Sequence, residues 1–150
     1  MKLKENTLNI LLADDDPDDR SFFEKALKEI PLDTHLVSVN NGEELMIYLA
    51  KNLHNLPDAI FLDLSMPRKT GYECLLEIQE NQDLKNIHVV MFSTSFTGGH
   101  IDLEKTLINT LSNMGAKDYI RKPGDFEKLK QVIHQSLIRL IEKENLSDIK

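Results

Sequence analysis

Acidic residues stand at the ends of two short apolar runs. Asp14 and Asp15 follow Leu8–Ala13, and Asp63 lies near the end of residues 59–64. Carboxylates that lie close together destabilise one another's charged forms, so a cluster of them at neutral pH needs a cation or raised pKa values. Oxygen donors without cysteine or a nearby histidine suit a hard cation, and Mg²⁺ fits this set better than Ca²⁺ or Zn²⁺. These residues therefore predict a magnesium site.

A hydroxyl pair and an amine follow two later apolar runs. Ser93 and Thr94 come after residues 88–92, and Lys122 comes shortly after residues 117–120. The lysine ammonium acts as a point charge for an anion, and phosphate is the anion that Mg²⁺, lysine and a hydroxyl most often bind together. The predicted chemistry is therefore the binding or transfer of a phosphoryl group.

Five short apolar runs are interpreted as strands, because each is too short for a helix and is bounded by polar or turn residues. They span residues 8–13, 35–39, 59–64, 88–92 and 117–120. Segments with helical spacing of apolar residues lie between and after them. The first, third and fourth runs are almost continuously apolar, which is typical of parallel strands buried on both faces. The sequence therefore predicts an α/β fold with a doubly wound five-stranded parallel sheet flanked by five helices.

In an open α/β sheet, ligands bind outside the carboxyl ends of the strands. Asp14, Asp15, Asp63, Ser93 and Lys122 all end or follow a predicted strand. We therefore expect their side chains to converge on one edge of the sheet.

Other polar residues favour structural interpretations. Asp16, Asp18 and Asp19 are interpreted mainly as cap and first-turn acids, which stabilise a helix N-terminus. The five histidines share no ligand spacing, so surface or strand-end positions are favoured over chemistry.

The chain of 150 residues is expected to form one domain, since no linker or repeat interrupts the pattern. The predicted core spans about residues 7–141, and the polar tail 142–150 is expected to fray. No output domain is expected after Lys122, because helix 5 uses most of the remaining residues.

The charge balance bears on the partners of the protein. A net charge of −7 argues against direct binding of nucleic acid or of an anionic membrane surface. No run approaches the length of about 18 apolar residues that a membrane span needs, so no membrane insertion is expected. The single cysteine, Cys74, cannot form an internal disulfide. We therefore expect a reducing compartment, the cytoplasm.

The chain resembles a response-regulator receiver domain of two-component signalling over nearly its whole length. The residues that carry the resemblance are, in chain order, Asp14, Asp15, Asp63, Met66, Pro67, Gly71, Ser93, Tyr119, Lys122 and Pro123. The run Asp-Asp-Asp-Pro-Asp-Asp is also similar to the single-domain regulators that partner phytochrome-like kinases. The resemblance implies a flavodoxin-like receiver fold.

The resemblance implies that Asp63 is the phosphoacceptor. Its phosphoryl donor would be a phosphohistidine of a sensor histidine kinase or of a phosphotransfer protein. Asp15, Asp63 and the backbone carbonyl of Ser65 would bind Mg²⁺ directly, and Asp14 would act largely through water. The protein would not be an enzyme, apart from phosphoryl transfer to Asp63 and hydrolysis from it.

The resemblance also implies which residues hold the phosphoryl group and transmit its arrival. Lys122 would pair with one phosphoryl oxygen, and Ser93, with Thr94 beside it, would bind another. Tyr119 would then move inward and repack the face formed by helix 4, strand 5 and helix 5. Structural roles would belong to Pro67, Gly71 and Pro123, with a cis peptide bond between Lys122 and Pro123. The output would be a surface read by a protein partner of unknown identity, or a homodimer.

Some positions set this chain apart from the family. The family more often has Thr where Ser93 stands. Ser65 and Ser95 occupy positions that tune the lifetime of the acyl phosphate in relatives. The segment 96–100 lengthens the connection after Ser93 and is expected to be specific to a partner.

Three alternatives differ in class. A pseudo-receiver adaptor would work without phosphorylation. Its sequence would lack an acid after the first strand, the acceptor aspartate or the lysine, and this chain has all of them. A haloacid-dehalogenase-type phosphatase normally needs a second acid two residues after its nucleophile, where this chain has Ser65. A flavodoxin-like cofactor protein would need a phosphate-cradling loop after the first strand, and the acids there would repel a phosphate.

Overall fold

Strand and helix alternate five times along the chain. The structure, a computed structural model, describes residues 7–94 and 101–149, with side chains to residue 145. The strands are β1 (Leu8–Ala13), β2 (Thr34–Val39), β3 (Ala59–Leu62), β4 (His88–Ser93) and β5 (Asp118–Arg121). The helices are α1 (Pro17–Lys28), α2 (Gly42–Lys51), α3 (Gly71–Glu80), α4 (Ile101–Asn113) and α5 (Phe126–Ile149). The predicted α/β fold class is confirmed.

The strands form one parallel sheet in the order β2-β1-β3-β4-β5. β2 lies on one side of β1, and β3 lies on the other side, followed by β4 and β5. The strand order therefore reverses between β1 and β3. Ala13 pairs with Leu62 in this register, which places the next residues, Asp14 and Asp63, side by side. The reversal point is where ligands bind in open α/β sheets.

Both faces of the sheet are covered, which explains the continuous apolar runs of the central strands. One core layer joins alternate strand residues, such as Leu11, to apolar residues of α2, α3 and α4. The other joins the intervening residues, such as Leu12, to α1 and α5. Phe23 of α1 contacts the edges of Phe61 and Phe92 at centroid distances of 5.0 and 5.5 Å. The sheet is therefore a rigid base for the loops at its carboxyl edge.

Helix caps fix where the helices leave this edge. The side chain of Asp16 accepts hydrogen bonds from the first-turn amides of α1, as predicted for a capping acid. Asn41 caps α2 in the same way. Thr70 and Glu73 form a reciprocal capping box at the start of α3.

Three expected details can be compared with the structure. The expected fraying of residues 142–150 stays a prediction, and α5 continues to Ile149. Glu and Lys are good helix formers, and extending an existing helix carries no nucleation cost. No cis peptide bond occurs among the described residues, so the expected cis bond before Pro123 is wrong; the trans form is the more stable one by about 0.5–1 kcal/mol. His88 does lie at a strand end, but it is buried.

The described helices include none that is both long and apolar enough to cross a membrane.

Candidate functional site

Three carboxylates meet at the carboxyl edge of β1 and β3. Asp14, Asp15 and Asp63 offer oxygens that lie within 4.8 Å of one another. Asp14 and Asp63 are buried, while Asp15 is exposed. An all-oxygen donor set of this kind fits a hard divalent cation. The structure therefore brings together the three acidic side chains that the sequence assigns to a metal.

Both carboxylate oxygens of Asp63 are held by donors. Its Oδ1 accepts hydrogen bonds from the Ser65 backbone N–H at 3.2 Å and from the Ser93 hydroxyl at 3.1 Å. Its Oδ2 accepts from the Lys122 ammonium at 3.3 Å. These donors come from the β3–α3 loop, β4 and the residue after β5, so three elements fix one side chain. Asp63 is the centre of the candidate site.

Gly71 lets the start of α3 approach the backbone of this site closely. Its N–H donates to the Leu64 carbonyl at 3.0 Å. A Cβ atom at position 71 would lie 2.3 Å from the Asp63 carbonyl oxygen and 2.7 Å from the Leu64 Cα. Because these are backbone atoms, any larger residue would displace the loop that carries Asp63.

Lys122 contacts three carboxylates at once. Its Nζ lies 2.7 Å from Asp14, 2.9 Å from Asp19 and 3.3 Å from Asp63, and its side chain is 11% exposed. Burial opposes its charged form, but the hydrogen bonds to Asp14 and Asp19 and the charge of Asp63 outweigh burial and raise the pKa of Lys122. The ammonium also lies 5.5 Å from the centroid of the Phe92 ring. Lys122 is therefore charged at neutral pH.

Asp14 is the most deeply buried of these acids. Its Oδ1 accepts from the Asp16 backbone N–H at 3.0 Å, and its carbonyl accepts from the Arg20 guanidinium at 2.8 Å. Burial raises the pKa of Asp14, and the charge of Asp63 adds to the rise, while Lys122 and the Asp16 N–H act against it. A single ammonium thus faces several carboxylates, so a further positive charge would stabilise the charged forms of these acids.

Residues 10–134 match the family model of the response regulator receiver domain, a range that includes every side chain described above. The chain belongs to the response-regulator receiver family. Its strand order is that of the flavodoxin-like receiver fold, so the resemblance and fold predicted from the sequence are confirmed.

Two curated relatives illustrate the range of receiver-containing proteins. Response regulator Rcp1 of Synechocystis sp. is 38% identical over 90 residues, which are 57% of this chain and 61% of Rcp1. Sensor histidine kinase CheAY of Helicobacter pylori is 32% identical over 128 residues, which are 85% of this chain and 15% of CheAY. In these sequence matches the chain thus spans less than two thirds of the length of either relative.

Two solved structures are similar over most of the receiver. The Mn²⁺-bound form of Rcp1 has a TM-score of 0.70 and 28% identity, and the structural match covers 85% of this chain and 90% of the chain in the Rcp1 structure. The phosphorylated cyanobacterial phytochrome response regulator RcpA has a TM-score of 0.72 and 32% identity, with 86% and 90% covered. The predicted likeness to phytochrome-partner regulators is therefore confirmed.

The remaining predicted residues of the receiver occupy varied places. Thr94 is exposed just after β4, Pro67 is exposed in the β3–α3 loop, and Pro123 is half-buried after Lys122. Ser95 and the segment 96–100 lie outside the described residues. The predicted residues that donate hydrogen bonds to the Asp63 carboxylate are thus Ser65, Ser93 and Lys122.

Tyr119 stands apart from the carboxylates, on β5. It borders a groove of about 230 Å³ between α4 and β5, and its buried hydroxyl has no hydrogen-bond partner among the described residues. Burial raises the pKa of Tyr119, and the charge of Glu104 on α4 adds to the rise. Glu104 in turn pairs with Arg121 of β5, so an ion pair joins the strand to the helix beside this tyrosine.

Asp19 is the site residue that the sequence interpretation missed. The sequence indicates only a first-turn acid of α1, whereas the Asp19 carboxylate also accepts a hydrogen bond from Lys122. A signal was available: helical side chains lean toward the helix N-terminus, so an acid at the third position of α1 leans toward the carboxyl edge of the sheet. What the sequence lacks is the direction of the long Lys122 side chain.

Proposed function

We propose that this receiver is a phosphorylatable response regulator in which Asp63 accepts a phosphoryl group from a phosphohistidine. The donor would be a sensor histidine kinase or a phosphotransfer protein. The observation that carries the proposal is the convergence of Ser65, Ser93 and Lys122 donors on the buried Asp63 carboxylate, beside further acids. The structure of RcpA, a similar regulator, is that of its phosphorylated form.

The proposed metal is Mg²⁺, held directly by Asp15, Asp63 and the backbone carbonyl of Ser65, with Asp14 acting largely through water. The convergence of carboxylate oxygens within 4.8 Å supports this choice, as does the Mn²⁺ bound by Rcp1. When bound, a divalent cation neutralises negative charge on the oxygens of a phosphoryl group. Removal of the metal is therefore expected to abolish phosphorylation.

The side chains of Asp63, Lys122 and Ser93 have different roles in the proposed phosphoryl transfer. A carboxylate oxygen of Asp63 forms the new bond to phosphorus, while the bond from phosphorus to the donor imidazole nitrogen breaks and its electron pair stays on that nitrogen. Lys122 and Ser93 already donate to Asp63, at 3.3 and 3.1 Å, so both are within reach of a group placed there. The Lys122 ammonium and the Ser93 hydroxyl then donate hydrogen bonds to two phosphoryl oxygens.

The proposed output is a change of protein surface. Ser93 ends β4, so a new bond from its hydroxyl draws that strand end inward. Tyr119 follows into the space between α4 and β5 and changes the face that a partner protein, or a second copy of this chain, reads. A cytoplasmic location fits both this phosphodonor and the free Cys74 thiol.

Neither an adaptor nor a phosphatase is favoured. A pseudo-receiver would lack one of the acids or the lysine, but all of them are present here, and Lys122 contacts both Asp14 and Asp63. Ser65 stands where a haloacid-dehalogenase-type phosphatase has its second acid.

Intact-mass spectrometry with acetyl phosphate tests the proposal. We expect one labile phosphoryl adduct on the wild-type protein with Mg²⁺, and none with a chelator or on Asp63→Asn. Asp18→Asn is a matched control, because it removes an exposed carboxylate near the same edge. An equal adduct on Asp63→Asn, or none on the folded wild type with Mg²⁺ and an active kinase, would overturn the proposal.

A further inference from the structure

Asp19 is a carboxylate of the site without an assigned role. It lies at the third position of α1, and its Oδ2 is 2.9 Å from the Lys122 ammonium. It does not belong to the carboxylate cluster of Asp14, Asp15 and Asp63. Its contact therefore acts on Lys122 rather than on the proposed metal.

The ammonium of Lys122 has three N–H donors and three carboxylate partners. The contacts to Asp14 and Asp19, at 2.7 and 2.9 Å, are shorter than the contact to Asp63 at 3.3 Å. Two donors are thus tightly held on the β1–α1 side, and the third reaches Asp63. A phosphoryl oxygen on Asp63 could take over this third donor without disturbing the other two.

We propose that Asp19 is a positioning residue for phosphoryl transfer, which anchors Lys122 together with Asp14 and keeps one ammonium donor directed at Asp63. The inference deepens the proposed function and rests on it. Lysine has a long stem with many rotamers, so a second anchor reduces the conformational freedom that must be lost when the phosphoryl group binds.

The helix that carries Asp19 is itself held in place. The Asp16 side chain accepts from the backbone N–H groups of Asp18 and Asp19, at 2.9 and 3.4 Å. The guanidinium of Arg20 donates to the Asp14 carbonyl at 2.8 Å, which ties the first turn of α1 to the end of β1. Asp19 is therefore an anchor on a rigid element, which positions a partner better than a loop residue does.

The neighbouring residue offers a matched control. Asp18 is an exposed acid in the same helical turn, and its side chain is not among the partners of Lys122. Replacing Asp18 or Asp19 by Ala removes the same charge from the same helix N-terminus. A difference between the two variants therefore reports on the contact with Lys122.

The first measurement is the rate constant for phosphorylation of Asp63 by acetyl phosphate at saturating Mg²⁺. We expect Asp19→Ala to lower it by about three- to tenfold, because a charge-assisted contact at a partly exposed carboxylate contributes less than a buried one. Asp18→Ala is expected to stay within about twofold of the wild type. Asp19→Glu, which restores the carboxylate, is expected to recover most of the rate.

The second measurement is the NMR signal of the Lys122 NH₃⁺ group in the unphosphorylated protein. We expect it to shift and to exchange faster with water in Asp19→Ala, but to be unchanged in Asp18→Ala. Equal phosphorylation rates for wild type and Asp19→Ala, or equal slowing by both Ala variants, would overturn the inference. A wild type that is never phosphorylated would instead overturn the proposed function, and the NMR signal would still report whether Asp19 holds Lys122.

Discussion

Removing the Lys122 charge should destabilise the metal-free protein strongly. Lys122→Met keeps a long apolar side chain but leaves Asp14 and Asp63 without their cation. The side chains of Lys122, Asp14 and Asp63 are 11%, 0% and 8% exposed, so these ion pairs are buried. Breaking a buried pair by removing one partner costs about 3–5 kcal/mol, because the other charge stays in a poorly solvated place.

Lys130→Met is a closely matched control. Lys130 also contacts two carboxylates, Glu29 at 2.9 Å and Glu127 at 3.2 Å, and it also lies 5.5 Å from a phenylalanine ring centroid. Its carboxylate partners are 55% and 71% exposed, so water solvates them when the lysine is lost. We expect Lys130→Met to change stability little.

Urea unfolding with a chelator measures the difference. A loss of about 4 kcal/mol, at a slope of about 2 kcal/mol per molar urea, moves the unfolding midpoint by about 2 M. Saturating Mg²⁺ should stabilise Lys122→Met more than the wild type, because the metal supplies charge to the same carboxylates. Equal midpoints for Lys122→Met and the wild type without metal would refute the reasoning that Lys122 is the cation on which these buried acids depend.

Substitutions at three further positions, His88, Ser93 and Gly71, test other contacts. Burial lowers the pKa of His88 to about 4. The unfolded chain, with a histidine pKa of about 6.5, therefore takes up a proton that the folded protein does not, and stability falls as the pH falls from about 6.5 to about 4. His88→Leu should remove about 2 kcal/mol of that loss at about pH 5, measured by urea unfolding at about pH 5 and 7.5. Ser93→Ala removes the hydroxyl that donates to Asp63 at 3.1 Å and should cost about 1–2 kcal/mol in the same assay, whereas Ser93→Thr keeps the donor. Gly71→Ala places a Cβ 2.3 Å from the Asp63 carbonyl oxygen, and should cost about 1–3 kcal/mol and slow phosphorylation of Asp63.

Each of these expectations has a contrary outcome. An unchanged pH dependence in His88→Leu, compared with a variant of the exposed His54, would show that His88 is not buried as a neutral side chain. Equal stability of Ser93→Ala and wild type would mean that the hydroxyl contributes nothing to Asp63. A Gly71→Ala protein with normal stability and rate would show that the loop has room for a side chain.

The central site could be predicted because it depends on strand ends alone. Asp14, Asp63 and Ser93 end or follow strands whose apolar runs are unmistakable, and parallel strands bring their carboxyl ends to one edge. Lys122 follows the last strand of the same sheet. The convergence of these residues therefore needs no knowledge of side-chain packing.

Features that depend on packing could not be predicted in this way. The contact between Asp19 and Lys122 joins residues 103 positions apart and depends on the rotation of α1 about its axis. His88 has a polar side chain at a strand end, yet the surrounding structure buries it, and burial outweighs the charge of Asp118, which favours the charged form of the imidazole. The polarity of residues 142–145 indicates exposure, which they show, but does not exclude the helix that continues through them.

The most direct test of the central claim is to locate the phosphoryl group within the chain. Wild-type protein phosphorylated with Mg²⁺ is treated with borohydride, which reduces an acyl phosphate of aspartate to homoserine, and its peptides are analysed by mass spectrometry. We predict homoserine at position 63 alone, with unmodified Asp14, Asp15 and Asp19. Homoserine at any of these other positions, or an intact Asp63 in a protein that carries the adduct, would contradict the assignment of Asp63 as the phosphoacceptor.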